Sequence, residues 1–422
     1  GVGSNFRSSC AFSTVESNVL GYAGDIQLTT GTLSVTNGAE INASTFGQGN
    51  SGKIDINASE SVNLSGVNPT GVRSKIETSA QREASGNPGD IDITTNKFRI
   101  TDGALVSTSS CIISKAGYIY FNANDFEACN CGRGVAATFG SGDAGTINLN
   151  VKDKITLSGR QENVRSGLLA LTSAESTGKG GSIFIDPRLV IIEDGAEVSV
   201  DSFGKEDAGD ITLQAGTLQL DNGFINAETA STRGGDITLN VSEKLVLRNG
   251  SQISTTAGTA EAGGDGGNID INSKFIVAIP NENSDISANA FTGSGGKVNI
   301  TSQGIFGIES RSQPTDKSDI TASSQRGISG ETNVNTDDTS SIQNSFTELS
   351  PNIDTDAIIA NSCIARGSRR QENSFRNTRS GGLPPNRPSN VLVSEYITGE
   401  VRNIDSKNQA WKKGDAIVEP QG

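Results

Sequence analysis

The chain has 422 residues, of which 33% are apolar, 51 are Gly and 5% are aromatic; against about 45–50% apolar in ordinary globular chains, this supply suits a thin stack of Ile, Val and Leu rather than a thick aromatic core. It carries 34 basic and 48 acidic residues, a net charge of −14, which disfavours nucleic acid as a partner because like charges repel. His is absent, closing off Ser-His-Asp and Cys-His catalysis, and no run of 18 apolar residues is present, so no membrane insertion by a helix is predicted.

The first residue is Gly1, and the opening GVGSNFRSSC lacks the charged and apolar regions of a signal peptide. The expectation is a processed product or a fragment, with residues 1–20 as the remains of a preceding coil.

From there the chain repeats a phrase, Gly-x-Ile-x-Ile/Leu. It reads GDIQL at 24–28, GKIDI at 52–56, GDIDI at 89–93, GYIYF at 117–121, GTINL at 145–149 and GSIFI at 181–185. It continues as GDITL at 209–213 and 235–239, GNIDI at 267–271, GKVNI at 296–300 and a worn GETNV at 330–334. The period is about 30 residues. After each phrase comes a second alternating segment, as in LSVTNGAEI (33–41) and LVLRNGSQI (245–253), then a short polar piece such as INAST (41–45), ISTTA (253–257) or ISANA (286–290). Strict alternation marks strands with one buried face.

The pairs Asn37-Gly38, Asp102-Gly103, Asp194-Gly195, Asn222-Gly223 and Asn249-Gly250 predict positive φ at a corner. Asn-Gly between alternating segments is also a hairpin signal, and a stack of hairpins would make a meander or propeller. Three short strands per unit, with the same residue type at the same place unit after unit, favour a parallel β-helix in which each coil pairs with its neighbours. The predicted fold is therefore all-β: a parallel β-helix of about ten coils over 1–335, about 50 Å long at roughly 4.8 Å per coil, followed by an irregular tail or cap over 336–422.

Four stretches lengthen the period and are predicted as irregular loops carrying any binding: 66–88, 158–180, 257–267 and 309–319. GGDGGNIDI (263–271) is similar to one unit of a calcium-binding β-roll, but Asn268 stands at the key Asp position and no tandem copy follows. A Gly-rich loop is the expectation there, with Asp265 and Asp270 as chance cation contacts. Asp25, Asp90, Asp210 and Asp236 recur at one phase, which marks a preference at the start of a strand rather than one catalytic pair. No catalytic, cofactor-binding or metal-ligating residue is singled out.

The cysteines are Cys10, Cys111, Cys129, Cys131 and Cys363. Buried small side chains are the default for each, with a bridge from Cys111 to Cys129 or Cys131 left open. The tail holds Arg366, Arg369, Arg370, Arg376, Arg379 and Arg387, which read as a solvated linker, a contact for an anionic surface, or a segment folded back on the acidic coils.

Units of the form GDIxLxxGxLxVxNGAxIxAST, as at 24–45, resemble the large filamentous-hemagglutinin-like proteins of filamentous cyanobacteria, of the two-partner-secretion class. NSCIARG (361–367) and SFRNTRSGGLPPNRPS (374–389) resemble that family's C-terminal phrases. The resemblance implies a right-handed β-helix, export through an outer-membrane partner pore, secreted or cell-surface residence and a role in adhesion. The secretion domain that the pore recognises has no counterpart before Gly1. The resulting expectation is a secreted, adhesin-like structural protein whose stalk touches cells or polysaccharide. A β-helix polysaccharide lyase or hydrolase, and a passive spacer, are the alternatives. The lyase or hydrolase requires carboxylates and Arg or Lys converging from adjacent coils.

Overall fold

The structure, a computed structural model, describes residues 9–259 and 261–336 and the two dipeptides 399–400 and 419–420. The chain divides into two units, Gly1–Ser345 and Phe346–Gly422. In the second, the described residues are one antiparallel pair, Gly399–Glu400 with Glu419–Pro420. Cys363, the tail arginines and the 361–389 phrases lie outside the described residues.

The first unit is a parallel β-solenoid. Its long sheet runs from Ile26–Thr36 to Glu331–Thr336 through eleven tiers, one per repeated Gly-x-Ile phrase, and every pairing is parallel. The first Ile of each phrase stacks on the next: Ile26, Ile54, Ile91, Ile119, Ile147, Ile183, Ile211, Ile237 and Ile269 form one column, closed by Val298 and Thr332. Alternation puts these residues inside and their neighbours outside, so identical side chains nest at the strand spacing and the core repeats instead of thickening.

Many of the long strands bend at their middle, where the register slips, as between Ala58 and Ser61 or Val241 and Lys244. At this bend Pro187, which has no N–H to give a ladder, splits one strand into Ser182–Asp186 and Leu189–Glu193. A corner follows. Asn37-Gly38, Asp102-Gly103, Asp194-Gly195 and Asn249-Gly250 all have positive φ there, whereas in Asn222-Gly223 only Asn222 does. The corner does not make a hairpin. It delivers the chain into a second parallel sheet of short strands, from Cys10–Phe12 through Glu40–Asn42 to Asp319–Thr321. Beyond most of the three-residue strands a single residue continues the ladder, as in Thr172, Ser202, Thr229, Ala257 and Ala290.

Three predicted loops contain short-sheet strands: Lys75–Ala80 lies within 66–88, Gly167–Leu169 within 158–180 and Glu309–Ser310 within 309–319. Three insertions, 66–74, 159–166 and 307–318, leave from the corner before the short sheet, while 257–267 leaves after it.

The core is one continuous cluster from Val35 to Ala322. Its aromatic layer is Phe98, Phe121 and Phe126, with ring centroids 5.1–5.6 Å apart. Opposite it, Gly134 takes a position that is Ile, Val or Leu in the other coils from Ile41 to Ile320, and a Cβ there would lie 3.3 Å from the Phe121 ring. The ring fills the volume that Gly134 vacates.

Candidate functional site

The recurring aspartates serve the solenoid itself. Lys53 N–H donates to Asp25 Oδ1 (2.8 Å), Tyr118 N–H to Asp90 (2.8 Å), Asp236 N–H to Asp210 (3.1 Å) and Asn268 N–H to Asp236 (3.0 Å). Each carboxylate thus accepts from the backbone one coil further on. Asp265 likewise accepts from Ser294 N–H (2.7 Å), and Asp270 from the Asn299 side chain (2.7 Å). Among the described residues no group of three His, Cys, Asp or Glu is placed to hold a metal ion.

The cysteines stand apart. Arg133–Thr138 starts just after Cys131 and pairs with Leu105–Ser110, at whose far end Cys111 lies. A six-residue strand, roughly 20 Å, separates Cys111 from Cys131, so the bridge left open by spacing is not formed. Cys131 is buried, its thiol donating to Val164 O (3.2 Å). Burial, then the Glu127 charge, pushes the Cys129 thiol up to about 11, which removes its nucleophilic form at neutral pH.

Two concave surfaces stand out among the described residues. The larger is a groove of about 1100 Å³ along the bend of the long sheet. Its floor is one outward register position repeated through seven tiers: Asn150, Asp186, Gln214, Asn240, Asn272, Thr301 and Asn335. Six steps of about 4.8 Å make it roughly 29 Å long. Amides can bond one another along such ladders, as Asn150 at the start of the floor does with Asn122 in the coil before (3.4 Å) and Asn333 in a neighbouring ladder does with Asn299 (3.2 Å). Gln214, Asn240, Asn272 and Thr301 are exposed, and their side chains form no hydrogen bond among the described residues. Lys152, Arg188, Lys274 and Gln303 edge the groove; Arg188 is held by Asp153 at 2.8 Å.

The smaller cavity, about 360 Å³, sits where two predicted loops meet over the short sheet, lined by Gly258, Glu261, Phe291, Gln313 and Gln325. Arg326 covers Phe291, 4.7 Å from its centroid. The 309–319 loop is fastened there by the buried Asp319, which accepts from Arg311 and from Thr315 N–H (2.5 Å) and Oγ1 (2.8 Å). The 66–74 and 159–166 insertions belong to other tiers and do not join this cavity.

Sequence spacing missed a third feature. On the outer face of the short sheet, Glu197, Asp201 and Glu228 come together from adjacent coils. Glu228 N–H donates to Asp201 Oδ1 (2.7 Å), and Ser254 Oγ donates to Glu228. The insertion at 160–165 folds as an antiparallel pair that brings Arg165 within 3.6 Å of Glu197 and lays its guanidinium 3.9 Å from the Phe224 centroid. Burial lifts the Glu197 carboxyl to about 7 against the partial pull of Arg165. Burial lifts Asp201 and Glu228 too, and the Asp201 charge adds to the lift on Glu228. Neither cavity includes these three residues.

Among the described residues no helix is long and apolar enough to cross a membrane. Compared with known protein families, with curated proteins and with solved structures, the chain matches none.

Proposed function

We propose that this chain is the stalk of a secreted or cell-surface, adhesin-like protein that binds polysaccharide along its side without turning it over. The observation that carries this reading is the groove: an exposed polar side chain recurs at one register through seven tiers, and four of these are unspent in hydrogen bonding within the described residues. A linear polymer of hydroxyl-bearing units meets such a surface at many weak points, and avidity replaces a deep pocket. Export through an outer-membrane partner pore belongs to the same proposal and rests on the family resemblance.

A second reading, a polysaccharide lyase or hydrolase, draws on Glu197, Asp201 and Glu228 with Arg165, since convergent carboxylates of raised pKa are what acid–base cleavage of a glycan uses. Two facts favour binding over this: Asp201 is buried, and its Oδ1 already accepts the Glu228 backbone.

The purified chain on a glycan array and on whole cells, beside a polysaccharide depolymerisation screen, separates the two. Saturable binding with no product is expected. Shortened oligosaccharides that vanish with Glu228→Gln would overturn the binding reading in favour of the enzyme, and silence in both assays would leave a spacer.

A further inference from the structure

The groove lies between two exposed aromatic rings, and these restrict what it can hold. Phe184 stands on the outward face two residues before Asp186 of the floor, and Phe275 follows Lys274 of the groove edge. They are 44% and 38% exposed, large apolar rings left in water on a face otherwise polar. The registers Phe184–Thr212–Thr238–Asp270 put them three coils apart, on opposite sides of the floor. One coil before the first tier of the groove, Tyr118 and Tyr120 form a stacked pair, with centroids 6.0 Å apart and planes 12° from parallel.

A groove with a polar floor and an exposed aromatic ring just beyond its lining on either side is the complement of a ribbon with polar edges and apolar faces. A β-1,4-linked chain of pyranoses with equatorial hydroxyls is such a ribbon. Its rings present C–H groups on both faces and hydroxyls along both edges. It also runs straight, and each ring advances it by nearly the distance that separates one β-coil from the next, about 4.8 Å. An α-linked glucan winds away from a straight groove. The charges at the groove nearly cancel, Asp186 and Asp153 against Arg188, Lys152 and Lys274, so within a chain of net charge −14 the groove offers a polyanion little net attraction.

We propose that the groove binds a neutral, extended β-1,4-linked polysaccharide edge-on, one sugar ring per coil, with Gln214, Asn240 and Asn272 bonding the inner hydroxyl edge and Phe184 and Phe275 stacking on the two faces. This rests on the reading of the chain as a polysaccharide binder and specifies its ligand.

The test is affinity electrophoresis of the full chain through gels holding hydroxyethyl cellulose, dextran or a polyuronate, with Phe184→Ala, Phe275→Ala and Asn240→Ala variants checked for unchanged circular dichroism. Retardation by hydroxyethyl cellulose alone is expected, and each Phe→Ala change weakens it about tenfold, equivalent to about 1.4 kcal/mol. Equal retardation by all three polymers would overturn the ribbon assignment while leaving polysaccharide binding in place. Selective retardation that the three variants leave untouched would overturn the groove as its seat. No retardation in any gel would overturn both this assignment and the binding reading beneath it.

Discussion

Gly209 shows why the repeated phrase begins with glycine. Its φ is ordinary, so flexibility is not the reason. A Cβ built there would run into the carbonyl of Gly181 in the coil below, and the same holds at Gly235 against Gly209 and at Gly267 against Gly235. The backbones of successive coils pass too close in this column for any side chain, and the obstacle is backbone, which cannot swing aside. Gly209→Ala is therefore expected to lower the unfolding free energy by about 1–3 kcal/mol, the range for overpacking a tight site. Gly21→Ala, with nothing within 4 Å of the added carbon, is expected to stay within about 0.5 kcal/mol of the parent. Urea unfolding of both variants checks this; equal losses would mean that the close approach is not what selects glycine.

At the scale of strands, the long sheet was legible because its inner strands bury several alternate side chains, as Ile54, Ile56, Ala58, Val62 and Leu64 do. The short strands were not. Lys75–Ala80 and Gly167–Leu169 each carry one large inward residue, Ile76 and Leu168, and a single apolar side chain makes no pattern. The Glu197–Asp201–Glu228 cluster was hidden for the same reason, since the register of these short strands is what joins GAEVSVDS to INAETAS. The floor of the groove was present in the repeats as a polar residue, most often Asn, one residue past each phrase, but the bend that makes it concave leaves no mark in the residue types.

The cluster has a consequence for pH. Its carboxyls titrate higher in the folded chain than the ordinary value of about 4, with Glu197 at about 7; Asp285, outside the cluster, is also raised by burial, to about 6. The folded state then holds protons that the unfolded state has released, so this contribution to stability is complete below about pH 4 and is lost as pH rises to about 7. The charged groups facing it are Arg165 and the half-buried Arg133. Thermal midpoints measured between pH 5 and 8 should fall with rising pH, and a Glu197→Gln, Glu228→Gln double variant should flatten the slope. A slope unchanged in that variant would remove the cluster as its cause.

Taken whole, the solenoid unit is a series of nearly equal coils, each bonded only to the coil before and the coil after. Its hydrogen bonds and aliphatic columns run along its length, so a load applied between residues 20 and 335 does not meet all of them at once. It peels the terminal coil, whose edge bonds open in turn, and the next coil then takes the strain. Coils of 26 to 37 residues, measured between successive repeated glycines, would each release about 90–130 Å of contour. A single-molecule pulling trace should therefore climb in a sawtooth of such steps, and one abrupt extension of the entire unit would refute the picture. A tether built this way can lengthen stepwise under drag instead of snapping, and on release it can rewind from whatever coils remain.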